Sequence, residues 1–261
     1  MVFNSSDFLV FFPLVVTLYY LLPHKFRWVM VLAASCWFYM AFVPVYILIL
    51  AFTIGVDYCA GILIENNEGK KRKRWLVASI IPNVGELAFF KYWNFLNGNM
   101  AELFQHLGFH YPVPDLGILL PIGLSFHTFQ SLSYTIEVYR KNQKAERHLG
   151  YFALYVMYFP QLVAGPIERP GALLPQLHAK HEFSYDNLVH GLTQMALGFF
   201  KKVVVADRLS AYVTEVYDNV NAVSSYAVMF AAFCFAIQIY CDFSGYSDIA
   251  IGSARVLGVK L

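Results

Sequence analysis

The sequence predicts an all-α, polytopic membrane protein with about eight membrane helices or re-entrant segments, because strongly apolar runs recur along the whole chain. Hydrophobic residues make up 58% of the 261 residues and charged residues only 14%, whereas soluble proteins carry about 25% charged residues. The mean hydropathy is +0.51. The net charge of +2 is too small to indicate nucleic-acid binding. We therefore expect a lipid bilayer, and no nucleic acid, as a partner.

The first four predicted segments are apolar runs separated by short turns. Ser5, Ser6 and Asp7 precede the first run as candidate helix caps. Pro44 suits a tight turn between the second and third runs. The fourth run contains polar residues and Pro82, so we expect it to be kinked and partly interior. The four segments are residues 8–22, 28–43, 45–64 and 75–93.

The remaining predicted segments are residues 117–137, 149–164, 188–206 and 223–241. Residues 94–116 are expected to form a loop, and residues 165–186 either a re-entrant loop or a surface loop. Lys201 and Lys202 interrupt the seventh segment, which favours an interfacial or short crossing helix. Since no repeat or linker interrupts the chain, we expect residues 1–261 to form a single domain.

Lysine and arginine residues predict the orientation, because short basic loops stay cytoplasmic. Residues 70–74 form the strongest basic loop, and residues 24–27 and 140–147 fall on the same side when the helices are counted. The N-terminus and residues 94–116 are then expected outside. No lysine or arginine precedes the first apolar run, so we expect that run to remain in the membrane rather than act as a signal peptide.

The fifth segment carries a polar stripe at helical spacings of three and four. Such a stripe cannot face hydrocarbon. It indicates either hydrogen bonds that hold helices together or a cavity wall that contacts a polar substrate. The stripe consists of His127, Gln130, Ser131, Tyr134 and Glu137.

Residues 238–252 place polar side chains directly after an apolar run. Carboxylates at membrane depth are costly and usually face a protein interior or a water-filled cavity. We expect Gly245 to break the helix and Ser244, Ser247 or Asp248 to cap a new one. The spacing resembles a calcium loop but lacks its ligand number, so we expect no metal. The candidate residues are Gln238, Asp242, Ser244, Tyr246 and Asp248.

Two further motifs allow two interpretations each. Gln161 lies in a stretch that a Pro-Gly-Pro sequence interrupts at residues 160–170; it is either broken backbone beside a cavity or a helix end at the interface. Lys201 and Lys202 could bind a phosphate-bearing donor. The favoured interpretation is that both lysines are anchors that reach the lipid head groups.

Four ordered blocks of the sequence resemble the membrane-bound O-acyltransferase family, and most closely its bacterial alginate O-acetyltransferase branch. These blocks are residues 120–134, 159–167, 198–202 and 240–252. Cys241 stands where the branch more often has an aromatic residue, and Glu86 lies in a stretch that is usually apolar. The family's active-site histidine belongs to an Arg-Trp-His-type block that we expect beyond Leu261. The chain is thus expected to be truncated at its C-terminus, and the catalytic residue is unknown.

The resemblance implies helices around a central tunnel, with acyl transfer to a hydroxyl group as the chemistry. It implies an acyl donor, acetyl-CoA or a carrier-linked acyl group, as substrate rather than a bound cofactor. The implied partners are an acyl-carrier protein and periplasmic or extracellular polysaccharide-modifying proteins, and the implied location is the bacterial inner membrane. The candidate tunnel-lining residues are His127, Gln130, Tyr134, Gln161, Gln238, Asp242, Ser244, Tyr246 and Asp248.

Two alternatives to polysaccharide acetylation are left open. One is acylation of another surface polymer, such as D-alanyl transfer to teichoic acid. The other is a transporter or channel, in which the polar stripe and the aspartates would line a substrate path. The absence of paired, repeat-related broken helices in the sequence disfavours the transporter.

Overall fold

The structure is a computed structural model that describes residues 1–113, 121, 123–162 and 165–261, and every regular element among these residues is helical. The predicted start of the fifth segment at residue 117 and the end of the sixth at residue 164 lie outside the described residues. The helices are α1 (Ser6–Leu21), α2 (His24–Met40), α3 (Ile47–Glu65), α4 (Gly69–His106), α5 (Leu124–Tyr139), α6 (Leu149–Met157), α7 (Phe159–Leu162), α8 (Pro170–His178), α9 (Tyr185–Phe199), α10 (Asp207–Asp218) and α11 (Ser225–Val256).

Two short elements modify this order. A 3-10 turn at Pro44–Tyr46 precedes α3, where Pro44 was expected to mark a turn. A π-helix at Phe200–Ala206 joins α9 to α10. The expected cap at Ser5 is confirmed, because its side chain accepts a hydrogen bond from the backbone N–H of Phe8 at 3.3 Å. Local polar residues thus fix the start of α1 as the sequence predicts.

Helix α4 is much longer than predicted. It spans 38 residues, which extend about 57 Å at about 1.5 Å per residue. The hydrocarbon layer of a bilayer is only about 30 Å thick. The expected loop at residues 94–116 is therefore wrong as far as His106. The prediction followed hydropathy, but residues 100–106 include good helix formers that continue the helix without being apolar.

Two helices are long and apolar enough to cross a membrane by length and composition, Pro44–Glu65 and Ser225–Val256. Ser6–Leu21 is a shorter apolar helix. Helix α11 continues unbroken through residues 238–252, which we call the α11 patch. The predicted break at Gly245, with a new cap at Ser244, Ser247 or Asp248, is therefore wrong.

Glycines on α9 and α11 explain why Gly245 lies inside a helix. A Cβ added to Gly198 would lie 2.6 Å from the carbonyl oxygen of Gly245, and one added to Gly191 would lie 2.7 Å from that of Gly252. The pairs run in opposite directions along the two helices, so α9 and α11 are antiparallel. Small residues let helix backbones approach closely, and Gly245 serves this packing instead of a break.

The aromatic core packs α1 and α2 against α7. Phe38 and Phe159 are fully buried, with ring centroids 5.9 Å apart. Phe11 contacts Phe159 edge to face at 5.4 Å, a geometry that aromatic pairs prefer. This packing fixes α7, and with it Gln161, beside the interior of the bundle.

The three basic segments meet at one end of the bundle. Arg72 donates to the backbone carbonyl of Val138 at 2.6 Å, where a cation complements the C-terminal end of α5. Arg147 forms an ion pair with Glu65, and its neighbour His148 contacts the ring of Trp28 at the start of α2. Segments 24–27, 70–74 and 140–147 are therefore neighbours in space, as the orientation argument requires.

Candidate functional site

The aspartates of the α11 patch form ion pairs with lysines of the π-helix. Lys201 Nζ lies 2.6 Å from Asp248 Oδ2 and donates to Ser244 Oγ at 2.9 Å. Gln194 Nε2 donates to the other carboxylate oxygen of Asp248 at 3.4 Å. These contacts give the carboxylate of Asp248 partners on both oxygens, which offsets the cost of its removal from water.

Lys202 makes a second and separate set of contacts. Its Nζ lies 2.6 Å from Asp242 Oδ1 and 2.8 Å from Asp207 Oδ1. It also lies 5.3 Å from the ring centroid of Tyr246, within range of a cation–π contact. The two lysines face three aspartates, so the cluster carries a net charge of −1.

Lys201 and Lys202 therefore do not act as the lipid head-group anchors that the sequence analysis favoured. The expectation was wrong because both lysines form ion pairs with aspartates of α11. Hydropathy does not indicate that residues 201–202 and 242–248 are adjacent. Their positive charges are already balanced, which also argues against a free cationic site for a phosphate-bearing donor. The π-helix carries both lysines, and π turns inside helices occur often at functional sites.

The residues of the polar stripe on α5 lie in two different environments. His127 and Gln130 line a small cavity together with Gln161 of α7 and the loop at residues 165–167, and its volume is about 10 Å³. Tyr134 lies elsewhere: its hydroxyl accepts a hydrogen bond from the backbone N–H of Glu146 at 2.8 Å, and its ring packs against Gly61. We call the space beside His127 the α5–α7 cavity.

Hydrogen bonds to backbone groups hold the walls of this cavity. Gln130 Oε1 accepts from the backbone N–H of Glu168 at 3.0 Å, and Gln161 Nε2 donates to the carbonyl of Tyr155 at 2.9 Å. The hydroxyl of Tyr155 bonds the carbonyls of Gln130 and Glu168. Partial burial raises the pKa of the Glu168 carboxyl. The loop after α7 is thereby fastened to α5.

Several polar atoms of the cavity have no hydrogen-bond partner among the described residues. They are both ring nitrogens of His127, Nε2 of Gln130 and Oε1 of Gln161, and all are buried. Buried polar groups are nearly always paired in folded proteins. The α5–α7 cavity is therefore a place where a polar ligand can complete the hydrogen bonding.

A third polar cluster surrounds Asp57 of α3, which the sequence analysis missed. Asp57 is fully buried. Its carboxylate accepts from Ser79 at 2.6 Å and from Asn83 at 3.0 Å, both on α4, and also from Ser131 of α5. The rule that marked Asp242, a carboxylate inside an apolar run, would have found Asp57 as well.

The α11 patch and the α5–α7 cavity lie on adjoining elements. The ring of Phe126, next to His127, stacks on the ring of Phe243 at 6.3 Å. Gln238 of α11 is half-buried and its Oε1 has no partner among the described residues. In the described part of the chain, no group of three or more His, Cys, Asp or Glu side chains has an arrangement that could hold a metal ion.

Comparison with known proteins shows that this chain is similar to O-acetyltransferases that are named for alginate or peptidoglycan. The chain is 37% identical to the probable alginate O-acetylase of Pseudomonas aeruginosa, over 100% of the chain and 50% of the relative. It is 36% identical to that of Azotobacter vinelandii, over 100% of the chain and 52% of the relative. The peptidoglycan O-acetyltransferase of Helicobacter pylori is 31% identical, over 87% of the chain and 47% of the relative.

These relatives are longer than this sequence, and the chain spans about half the length of each. Residues 140–261, which include the π-helix, the α11 patch and α7, match the family model for membrane-bound O-acyltransferases. The similarity to the alginate O-acetylases extends over the first half of the chain as well. The chain therefore belongs to the membrane-bound O-acyltransferase family.

Proposed function

We propose that the chain acts in O-acyl transfer, in which acetyl groups are moved to hydroxyls of an exported polysaccharide such as alginate. The observation that carries this proposal is the similarity to alginate O-acetylases over 100% of the chain. The peptidoglycan O-acetyltransferase, whose acceptor is a different polysaccharide, supports acetyl transfer as the shared reaction. Since all three relatives are named for O-acetyl transfer, acetyl is favoured over D-alanyl as the transferred group.

The candidate tunnel-lining residues are proposed to position the two substrates. Acyl transfer to a hydroxyl requires that the acceptor oxygen and the acyl carbon be held close together and shielded from water. His127, Gln130 and Gln161 supply neutral hydrogen-bonding groups at one place. Asp242 and Asp248, fixed by their lysines, supply a charged wall nearby. Gln238, Ser244 and Tyr246 of α11 complete the proposed set. Tyr134 stays outside it, because its hydroxyl bonds the backbone N–H of Glu146 away from the cavity.

The proposed setting is the bacterial inner membrane, crossed by about eight segments with the N-terminus outside. The shared end of the three basic segments would then face the cytoplasm, where acetyl-CoA or a carrier-linked acyl group is available. The polysaccharide and its other modifying proteins would meet the protein from the opposite side. The two long apolar helices and the spatial grouping of the basic segments support this arrangement.

Polymer acetylation tests the proposal directly. The complete natural reading frame is expressed in an alginate-producing host that lacks its own O-acetylase, and ester-linked acetyl is measured in the secreted polymer by proton NMR. We expect acetylated polymer from the wild type. A polymer without acetyl, at normal protein level in the membrane, would overturn the proposal.

A variant in the α11 patch extends this test. Asp242→Asn leaves Lys202 with a single carboxylate partner, Asp207, and we expect at least about fivefold less polymer acetylation, since one charge-assisted hydrogen bond is worth about 1.5–3 kcal/mol. Asp186→Asn is the control, because that side chain is 75% exposed. Equal acetylation by both variants would remove Asp242 from the proposed site.

A further inference from the structure

The α5–α7 cavity brings three buried polar side chains together. His127 is 1%, Gln130 3% and Gln161 4% exposed, so bulk water does not reach these side chains. Each nevertheless has at least one polar atom without a partner among the described residues. A polar group buried without a partner is destabilising. Within the described part of the chain, these atoms therefore lack a partner that a ligand can supply.

Backbone contacts fix which end of each amide remains free. Gln130 uses its oxygen to accept from the Glu168 N–H, so its NH₂ group is the free end and can only donate. Gln161 uses its nitrogen to donate to the Tyr155 carbonyl, so its oxygen is the free end and can only accept. Interchanging nitrogen and oxygen in either amide would lose these backbone bonds. The cavity thus offers at least one donor and one acceptor.

His127 adds one further contact of either kind. An imidazolium buried without a carboxylate partner would be strongly disfavoured, so the ring is neutral and carries one N–H and one bare nitrogen. Among the described residues that line the cavity, there is no Asp, Glu, Lys or Arg. These surroundings disfavour an ionic ligand and favour a neutral group that both donates and accepts.

The size of the cavity restricts the ligand further. Its volume of about 10 Å³ is close to the smallest that holds one water-sized group. A whole sugar ring or a thioester does not fit, whereas a single O–H does. The loop residue Ile167, which is 46% exposed, lies where the cavity meets the surface. A hydroxyl that projects from a larger molecule could enter on this side.

We infer that the α5–α7 cavity is a binding site for one O–H group, which accepts from Gln130 Nε2, donates to Gln161 Oε1 and makes its third hydrogen bond to the His127 ring. Two sources can supply this chemistry: a resident water molecule or a hydroxyl of the polysaccharide acceptor. The second source rests on the proposed function. Water and hydroxyl would occupy the same position, so a bound acceptor would displace the water.

His127 is the side chain whose replacement tests this inference most cleanly. It makes no hydrogen bond to a described residue, so His127→Phe removes no hydrogen bond within the described protein. His127→Gln keeps a donor and an acceptor but removes the imidazole. Thr128→Val is the matched control: Thr128 is buried on the same helix, its hydroxyl also lacks a described partner, and it does not line the cavity.

The experiment has a structural arm and a kinetic arm, both on the complete natural protein. High-resolution maps of the protein without acceptor are searched for a peak within hydrogen-bonding distance of Gln130 Nε2 and Gln161 Oε1. Initial rates of acetyl transfer are measured against alginate oligosaccharide and against acyl donor. A resident water gives a peak in the wild type and in Thr128→Val that is lost in His127→Phe.

An acceptor hydroxyl instead changes the kinetics. We expect His127→Phe to raise the KM for oligosaccharide about three- to tenfold, which corresponds to one hydrogen bond between uncharged groups, with the KM for the donor unchanged. His127→Gln should restore most of the loss, and Thr128→Val should behave as wild type. No peak together with unchanged acceptor KM would overturn the inference. A wild-type protein without acetyl transfer would overturn the proposed function, whereas the peak would still decide whether the cavity binds water.

Discussion

At the scale of single residues, Asp57 shows how a carboxylate is accommodated inside an apolar helix without a cation. Its oxygens accept hydrogen bonds from Ser79, Asn83 and Ser131, which come from two different helices. Hydrogen bonds to a charged group are stronger than neutral ones. Asp57 therefore ties α3 to α4 and α5, and it fixes the part of α5 one turn after His127.

Replacing Asp57 should cost stability in proportion to the hydrogen bonds lost. Asp57→Leu leaves donors on Ser79, Asn83 and Ser131 without their acceptor, and we expect a loss of about 2–4 kcal/mol in the free energy of unfolding. Asp57→Asn keeps one acceptor oxygen and should lose about half as much. The measurement is the unfolding midpoint in detergent micelles, followed by helical circular dichroism.

The control for these variants is Asp186→Leu, at a side chain that is 75% exposed. Exposed ion pairs contribute little, so its unfolding free energy should stay within about 0.5 kcal/mol of wild type. If Asp57→Leu were as stable as this control, the network around Asp57 would not hold the three helices together.

At the scale of elements, the contact between α9 and α11 decides the geometry of the charged cluster. Gly198 and Gly245 bring the backbones together, and Lys201 follows Gly198 by one turn. Lys201 Nζ consequently lies 2.6 Å from Asp248, which follows Gly245 by three residues. A wider helix separation would pull this ion pair apart and leave charges without partners, which is costly inside a protein.

The same substitution at two glycines should have opposite effects. Gly198→Ala places a Cβ 2.6 Å from the Gly245 carbonyl oxygen, so the helices must shift, and we expect a loss of about 1–3 kcal/mol in unfolding free energy. Gly85→Ala on α4 meets nothing within 4 Å and should gain about 0.5–1 kcal/mol from higher helix propensity. Thermal unfolding of both variants in one detergent gives the comparison.

Together, these two variants test whether α9 and α11 are in close contact at Gly198, because a general effect of replacing glycine in a helix would be the same at both positions. A stabilising effect at both positions would mean that α9 and α11 are farther apart than the glycine contacts require. Activity provides a second readout, because a shifted Lys201 should also lower polymer acetylation in Gly198→Ala but leave Gly85→Ala at the wild-type level.

At the scale of the whole molecule, one end of the bundle collects the basic segments. The hydroxyl of Tyr20 donates to the carbonyl of Val256 at 2.7 Å, so the last turn of α11 lies beside segment 24–27. The first turn of α11, at Ser225, is then at the opposite end of a 32-residue helix. The fold thus separates a basic end from the end that holds residues 219–225.

Single cysteines should report this separation in intact cells. In a background with the four native cysteines replaced, we expect Lys25→Cys, Lys71→Cys and Lys144→Cys to be protected from a membrane-impermeant maleimide until the cells are opened. Asn219→Cys, which is exposed between α10 and α11, should react in intact cells. Labelling of the three basic positions from outside would reverse the proposed orientation, and labelling from different sides would contradict the shared basic end.

The sequence predicted the class of this protein and many of its segments from local properties. The hydropathy of the apolar runs and the cap at Ser5 depend only on neighbouring residues, so α1, α3 and the apolar part of α11 follow from the sequence. The family resemblance likewise depends on ordered blocks of sequence. Predictions that depended on contacts with residues distant in the sequence were wrong. Examples are the helix break expected at Gly245, which packs on Gly198, and the anchors expected at Lys201 and Lys202, which pair with aspartates.

The tertiary structure alone decided which polar residues meet. Lys202 and Asp242 are 40 positions apart and Asp57 and Ser131 are 74 apart, and hydropathy carries no information about such distant pairs. Whether a buried polar atom is satisfied also depends on the neighbours that folding supplies. Sequence therefore determined that polar groups lie within an apolar helical protein, and packing determined that those around Asp57 and the lysines are paired whereas His127, Gln130 and Gln161 leave a cavity for a ligand.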